Sequence, residues 1–309
     1  MRKLFCLFSC IMIGWPVYAQ KKPVVEKDPD WEKKFIQSNR DISAWFDGVT
    51  EGIDLFLTGK RVSKERNKSS FRIDNTTTIT ESENFNNTSS ISIRPRLQNL
   101  EEFMQLKFTS YDEKEDGRGV ESGYLRKTQR RKNYGATLGF FRKLGNVRTT
   151  FQPRIELQDP LKVSQSLAFE SVAEVKDFQM NPKFELFADA DKGTGTFQAL
   201  NFNYEFTPVW DITLINEGEY QEKIHKLFVT NGLALGQGYA EKTTFIYSWI
   251  FNSHNREKYH LHEHVVSVTW HQNIYRNILD FQLQPFFNFA KDNRFKGRSG
   301  LIFNISVNF

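Results

Sequence analysis

The sequence is poor in cysteine: Cys6 and Cys10 are the only two in 309 residues. Beyond them no disulfide can staple the chain, and no thiolate can act as nucleophile or metal ligand. Long apolar runs are also missing. After the first 19 residues no stretch of 18 apolar residues occurs, which excludes transmembrane helices but not membrane-spanning strands. Charge of one sign is not in excess, with 42 basic against 37 acidic side chains. That mild balance gives no reason to expect a nucleic-acid partner. No phosphate-cradling glycine loop or comparable short catalytic motif is present. What remains is a polar chain of negative mean hydropathy that nonetheless carries 29 phenylalanines.

The two ends are the most specific part. "MRKLFCLFSCIMIGWPVYAQ" has a basic start at Arg2 and Lys3 and an apolar run to about Val17. Val17-Tyr18-Ala19 then forms a small-x-small site. This predicts a secretory signal peptide over 1–19. Phe8 is bulky for a lipobox, which weighs against lipidation at Cys10. The other end reads "GLIFNISVNF". Leu301, Phe303, Ile305, Val307 and Phe309 share one strand face, and Asn304, Ser306 and Asn308 share the other.

A signal peptide with a final amphipathic strand ending on Phe309 resembles the bacterial outer-membrane β-barrel proteins. The resemblance implies Sec-dependent export and an outer membrane of the Gram-negative type. It also implies contact with outer-membrane lipid and lipopolysaccharide, and Phe309 as the signal read by the barrel-assembly machinery.

The middle of the chain fits by pattern. Leu200, Phe202, Tyr204 and Phe206 alternate with Asn201, Asn203 and Glu205. Phe281, Leu283 and Phe287 alternate with Asp280, Gln282 and Gln284, and Phe245, Tyr247, Trp249 and Phe251 with Thr244, Ser248 and Asn252. Fourteen such segments begin near Phe71, Thr88, Phe103, Asn133, Val147, Val163, Lys183, Thr196, Trp210, Lys226, Thr243, Tyr259, Asn277 and Ser299. The 240 residues from 70 to 309 allow roughly 17 per strand and connection. The expectation is an all-β, antiparallel, up-and-down transmembrane barrel of about 14 strands, with 12–16 as the range. Tight links such as 142–146 and 207–210 fall on the periplasmic side, and longer ones such as 111–132 on the outside. Pro95, Pro153 and Pro285 fall mid-strand on the apolar face, so either bulges or shifted registers are expected there.

Residues 20–69 read differently. Ile42, Trp45, Phe46, Val49, Ile53 and Phe56 recur at helical spacing, with Asp41 as a candidate N-cap and Gly59 near the end. This predicts a short amphipathic helix over about 41–58 in a periplasmic segment. It packs under the barrel mouth, or else plugs it.

Two sets of residues are candidates for function. On the lumen face, Arg72, Arg94, Arg96, Lys107, Arg148 and Arg154 fall on the first five strands. Glu170, Glu174, Glu185, Glu205, Asp211, Glu217 and Glu219 fall on the next four, and Asp280 lies further on. Opposed charged walls select permeants in water-filled pores, although such charges also pair with one another. The stretch "HNREKYHLHEH" holds four of the six histidines. His260, His262 and His264 share one strand parity, with Glu257 nearby, and are weak metal candidates. The simpler reading is a polar rim, and a bulge would be needed to turn these imidazoles inward. Catalysis needs a nucleophile beside a base. Ser253-His254 is the only adjacent Ser–His pair, and consecutive strand residues point to opposite faces.

The leading functional expectation is a porin-like channel for small hydrophilic solutes, without enzyme activity or cofactor. The alternatives are an outer-membrane lipid-modifying hydrolase, or a structural or partner-binding barrel closed by its helix. Oligomeric state is open.

Overall fold

The computed structural model describes residues 33–44, 69–81, 85–95, 104–111, 118–119 and 133–309, without 241, 257, 276 and 277. Within these, period-two alternation has become fifteen strand segments: β1 Ser70–Thr80, β2 Phe85–Arg94, β3 Met104–Thr109, β4 Gly135–Leu144 and β5 Val147–Glu156. β6 Lys162–Ser171, β7 Ala173–Val175, β8 Phe178–Asp189, β9 Gly193–Thr207 and β10 Trp210–Gln221 follow. The last are β11 Lys226–Ala240, β12 Thr243–His254, β13 His260–Tyr275, β14 Leu279–Ala290 and β15 Gly297–Asn308. Consecutive segments pair antiparallel except β6 and β7, which both pair with β8, and β1 pairs with β15, so the sheet closes.

β6 and β7 are two parts of one stave, which makes the barrel fourteen-stranded. Both pair with β8 in one continuous register, Glu170↔Lys183 and then Ala173↔Met180. The ladder lapses where Ser171 and Val172 face Asn181 and Pro182, because proline has no N–H to give it.

The same reasoning corrects the expectation for the other prolines. Pro95 lies just past the end of β2. Pro153 and Pro285 cause neither a bulge nor a register slip. Each keeps one ladder whole, Pro153↔Gln165 and Pro285↔Leu301, and leaves a gap in the other without changing its register. A closed barrel therefore tolerates proline by giving up bonds on one side only.

Closure is sealed on both faces of the β1–β15 seam. Inside, Arg72 Nε donates to Asp74 (2.8 Å), while Ser306 Oγ donates to Asp74 (2.5 Å) and accepts from Arg72 Nη2 (2.8 Å). At the chain end, Phe309 N–H donates to the Phe71 carbonyl (2.8 Å), and the two rings lie 5.2 Å apart.

The outward face is apolar and exposed, as Phe184, Leu186, Leu200, Leu233, Trp249 and Val266 show. Two lines of aromatic contacts cross it. One joins Tyr239, Phe245, Trp270, Phe281 and Phe303; the other joins Trp249, Phe251, His264, Phe289 and Phe295. Phe281 and Phe289 are eight residues apart on β14, about 27 Å along the strand and roughly 20 Å along a tilted barrel axis. That is close to the height of an apolar band between two aromatic girdles. The chain ends of the barrel lie at the end with the tighter hairpins. Its turn at 145–146 puts Gly145 at φ 61°, a backbone that glycine adopts without a Cβ clash.

A helix runs through 33–44. Asp41 is therefore an interior helical residue and not the N-cap, because the helix is already formed eight residues earlier. The remainder of the expected helix, 45–58, lies outside the described residues, as do the signal segment and Glu257. Asn39 is buried and its Nδ2 donates to the Asn308 carbonyl (2.8 Å). That places the second part of the helix at the mouth where β15 ends.

Candidate functional site: the lumen wall and the rim histidines

The lumen wall is built by the residues that alternate with the outward aromatics, and it divides into unlike arcs. Across β1–β5 the basic residues are engaged close to home. Arg72 is paired with Asp74. Arg148 lies 4.7 Å from the centre of the Phe141 ring. Arg154 is 1% exposed and acts as a clamp. Its guanidinium donates to Thr109 Oγ1 (2.8 Å), to the Tyr111 carbonyl (3.0 Å) and to the Asn133 carbonyl (2.9 Å), with Glu156 at 3.7 Å. Tyr111 and Asn133 are the two ends of the long connection between β3 and β4. Arg154 is thus a structural tie and not a surface offered to a permeant. Arg94 ends β2, exposed at the mouth, and Lys107 is half-buried on β3. Arg96 lies outside the described residues.

The acidic arc holds what sequence reasoning missed. Arg118, from that same long connection, lies buried inside the barrel. Its Nε is 3.5 Å from Glu185 and its Nη1 3.7 Å from Glu219, and its guanidinium sits 3.5 Å from the centre of the Phe187 ring. Gly119 lies against Glu217 so closely that a Cβ there would meet the carboxylate oxygen. The acidic wall therefore receives a cation from a connection rather than from the facing strands. Lys183 adds another, 3.3 Å from Glu170 and 3.6 Å from Glu185. Glu217 accepts from Asn201 (3.0 Å), Glu174 from Gln179 (3.1 Å), and Glu219 from Gln221 (2.6 Å). Asp211 lies where a side chain on Gly236 would have to be, and Glu205 is exposed at the tight-hairpin end. Asp280 accepts from Asn308 (2.9 Å) and lies 3.9 Å from His271. The local signal for Arg118 was only its presence in a long polar link.

From β12 to β15 the middle of the lumen face is instead apolar or small and neutral, with Glu263 toward one end and Asp280 toward the other. Ile250, Val265, Phe286 and Ile302 form a buried cluster. Beside it Ser248, Ser267 and Gln284 are buried and mutually hydrogen bonded. The tip of the Phe286 ring lies over Gly300, where an added Cβ would come within 2.2 Å of it.

The histidines are arranged differently from their sequence spacing. The β12–β13 register shifts between Asn252↔Glu263 and Ser253↔Leu261. The shift leaves His262 as the extra residue of a bulge and puts His260 directly opposite His254. His254, His260 and His262 then offer imidazole nitrogens all within 4.8 Å of one another. His264, which the spacing grouped with them, lies beyond the bulge on the outward face. There it stacks on Phe289 (4.6 Å) and accepts from Trp249 Nε1 (3.3 Å). The expected trio of 260, 262 and 264 is thereby corrected to 254, 260 and 262.

No family model matches the chain, and no curated protein matches it. Solved structures do. A loop-deletion variant of OmpT, an outer membrane protein of Vibrio cholerae, is 7% identical. It covers 79% of this chain and 99% of its own at a TM-score of 0.50. Salmonella typhi OmpF in complex with daunomycin is likewise 7% identical, over 79% of this chain and 98% of its own, at a TM-score of 0.50. At such identity the likeness is one of fold: the chain forms a closed antiparallel barrel of the kind found in outer-membrane proteins.

Proposed function

We propose that the chain is an outer-membrane channel for small hydrophilic solutes, with the tight hairpins and both barrel termini on the periplasmic side. The observation that carries this reading is the lumen at Arg118. A polar inner wall under an exposed apolar outer face is the arrangement of a barrel that holds water inside lipid. A segment of the long outer connection reaches across that lumen to Glu185, Glu217 and Glu219. This sets unlike charges side by side within the lumen, as selective pores do. The solved structures alike in fold include an OmpF in complex with daunomycin.

A hydrolase is the weaker reading. Ser253 and His254 are consecutive on β12 and point to opposite faces. His264, the outward imidazole, lies among aromatic rings.

Single-channel recording of the refolded chain in a planar bilayer tests the proposal. Stable stepwise currents are expected. Replacing Glu185 and Glu219 together by Gln is expected to shift the reversal potential in a salt gradient toward anion preference. Silence from a folded barrel would reject the channel.

A further inference from the structure

We propose that His254, His260 and His262 form a binding site for one divalent transition-metal ion, Zn²⁺, Ni²⁺ or Cu²⁺, at the rim of the barrel beside the 255–259 turn. Neutral imidazoles are the ligand type that suits these ions, and three protein ligands leave a fourth position open to water. Around such an ion, donor atoms about 2.0–2.1 Å from the metal lie roughly 3.4 Å from one another in tetrahedral geometry. From the observed spread of up to 4.8 Å the donors need to close by about 1.4 Å at most to reach that. The three ligands come from two strands already paired at His254↔His260, so the site needs little chain ordering to form.

The surroundings orient the rings. His260 Nδ1 is 2.7 Å from the Lys258 carbonyl, a contact that a protonated Nδ1 satisfies, leaving Nε2 with a lone pair for the metal. His254 Nδ1 accepts a long bond from the Arg256 N–H (3.3 Å). His254 must either release that bond and ligate through Nε2 or ligate through Nδ1 in its place. The rings of His260 and His262 lie 4.5 and 5.0 Å from that of His254.

Two neighbouring charges bear on the site. Lys226, on β11, opposes a cation, but its Nζ is drawn over the Phe228 ring at 4.3 Å, and that ring stands edge-on to His254. Glu263, two pairs below His254↔His260 on β13, favours a cation nearby and is held by the Asn252 and Asn288 amides, both at 3.1 Å. This site stands independently of the channel reading.

The test is calorimetric titration of Zn²⁺ into the full chain refolded in detergent, with His254→Ala, His260→Ala, His225→Ala and His264→Ala made in the same background. One equivalent is expected to bind. Affinity should fall about tenfold or more in the first two variants and stay unchanged in the last two. Affinity should also fall as the pH is lowered, because protons then compete for the same lone pairs. Absence of binding, or equal losses in all four variants, would overturn the site. Should a variant fail to fold, Cu²⁺ electron paramagnetic resonance on the unaltered chain decides the matter. Coupling to imidazole nitrogens supports the site, and its absence refutes it.

Discussion

The acidic arc of β6–β10 and the apolar arc of β12–β15 share one cylinder and one alternation rule, yet their inner faces have been given different work. On the acidic arc, Glu185, Glu217 and Glu219 meet Arg118 and Gly119 from a connection that enters the lumen. On the apolar arc, Ile250, Val265, Phe286 and Ile302 pack along the wall itself, and no described connection reaches them. The difference teaches where function and stability are kept in such a barrel. Charges lie where something must be held or passed, and apolar packing stiffens the arc that has no such task.

The comparison breaks first at Phe286. Truncation to Ala removes a large buried ring between Gly300 and the cluster, and should cost about 3–5 kcal/mol of stability. Urea unfolding in detergent measures it, and ion selectivity should not change. Arg118→Ala comes next. Among the described residues it leaves Glu185 with Lys183, at 3.6 Å, and breaks a buried ion pair whose carboxylate stays behind, at a cost of about 3 kcal/mol. Its larger signature is functional. With the cation gone the passage should conduct more and favour cations more strongly. If selectivity moves with Phe286 and not with Arg118, the two arcs have been assigned the wrong roles. Gly300→Ala sharpens the stability side by adding volume instead of removing it. The Phe286 ring must shift to admit the methyl group, at a cost of about 1–3 kcal/mol.

How much of this was legible in the sequence depends on the range of the signal. Alternation is local, and every one of the fourteen expected strand starts falls within five residues of an observed one, Lys183 against Phe178 being the furthest. The lumen parity of Glu185, Glu217 and Arg154 was readable for the same reason. Their partners were not. Arg154 closes on carbonyls 21 and 43 residues away, and Arg118 reaches side chains that follow it by 67 residues or more, so no spacing announces either. The histidines failed differently. Period two put His260, His262 and His264 on one face, and a single inserted residue in β13 undid it. A one-residue slip moves side chains to the opposite face, and nothing in "HLHEH" marks where the extra residue sits. The prolines misled in the opposite direction, since their registers proved unbroken.

Glu219→Gln is the finest division between the arcs. Its side chain is 17% exposed against 5% for Glu185, and it lies slightly further from Arg118. Water therefore already shares in neutralising it, and the amide can keep an interaction with Gln221, whose Nε2 now donates to Glu219 at 2.6 Å. The stability change should be under about 1 kcal/mol. Removing one of the two carboxylates paired with Arg118 should still shift the reversal potential toward anions, by less than the double change with Glu185. A shift without destabilisation would mean that charge on this arc serves permeation independently of folding. Destabilisation without a shift would mean that the Arg118 contacts only fasten the connection, and would return the acidic arc to the same structural role as the apolar one.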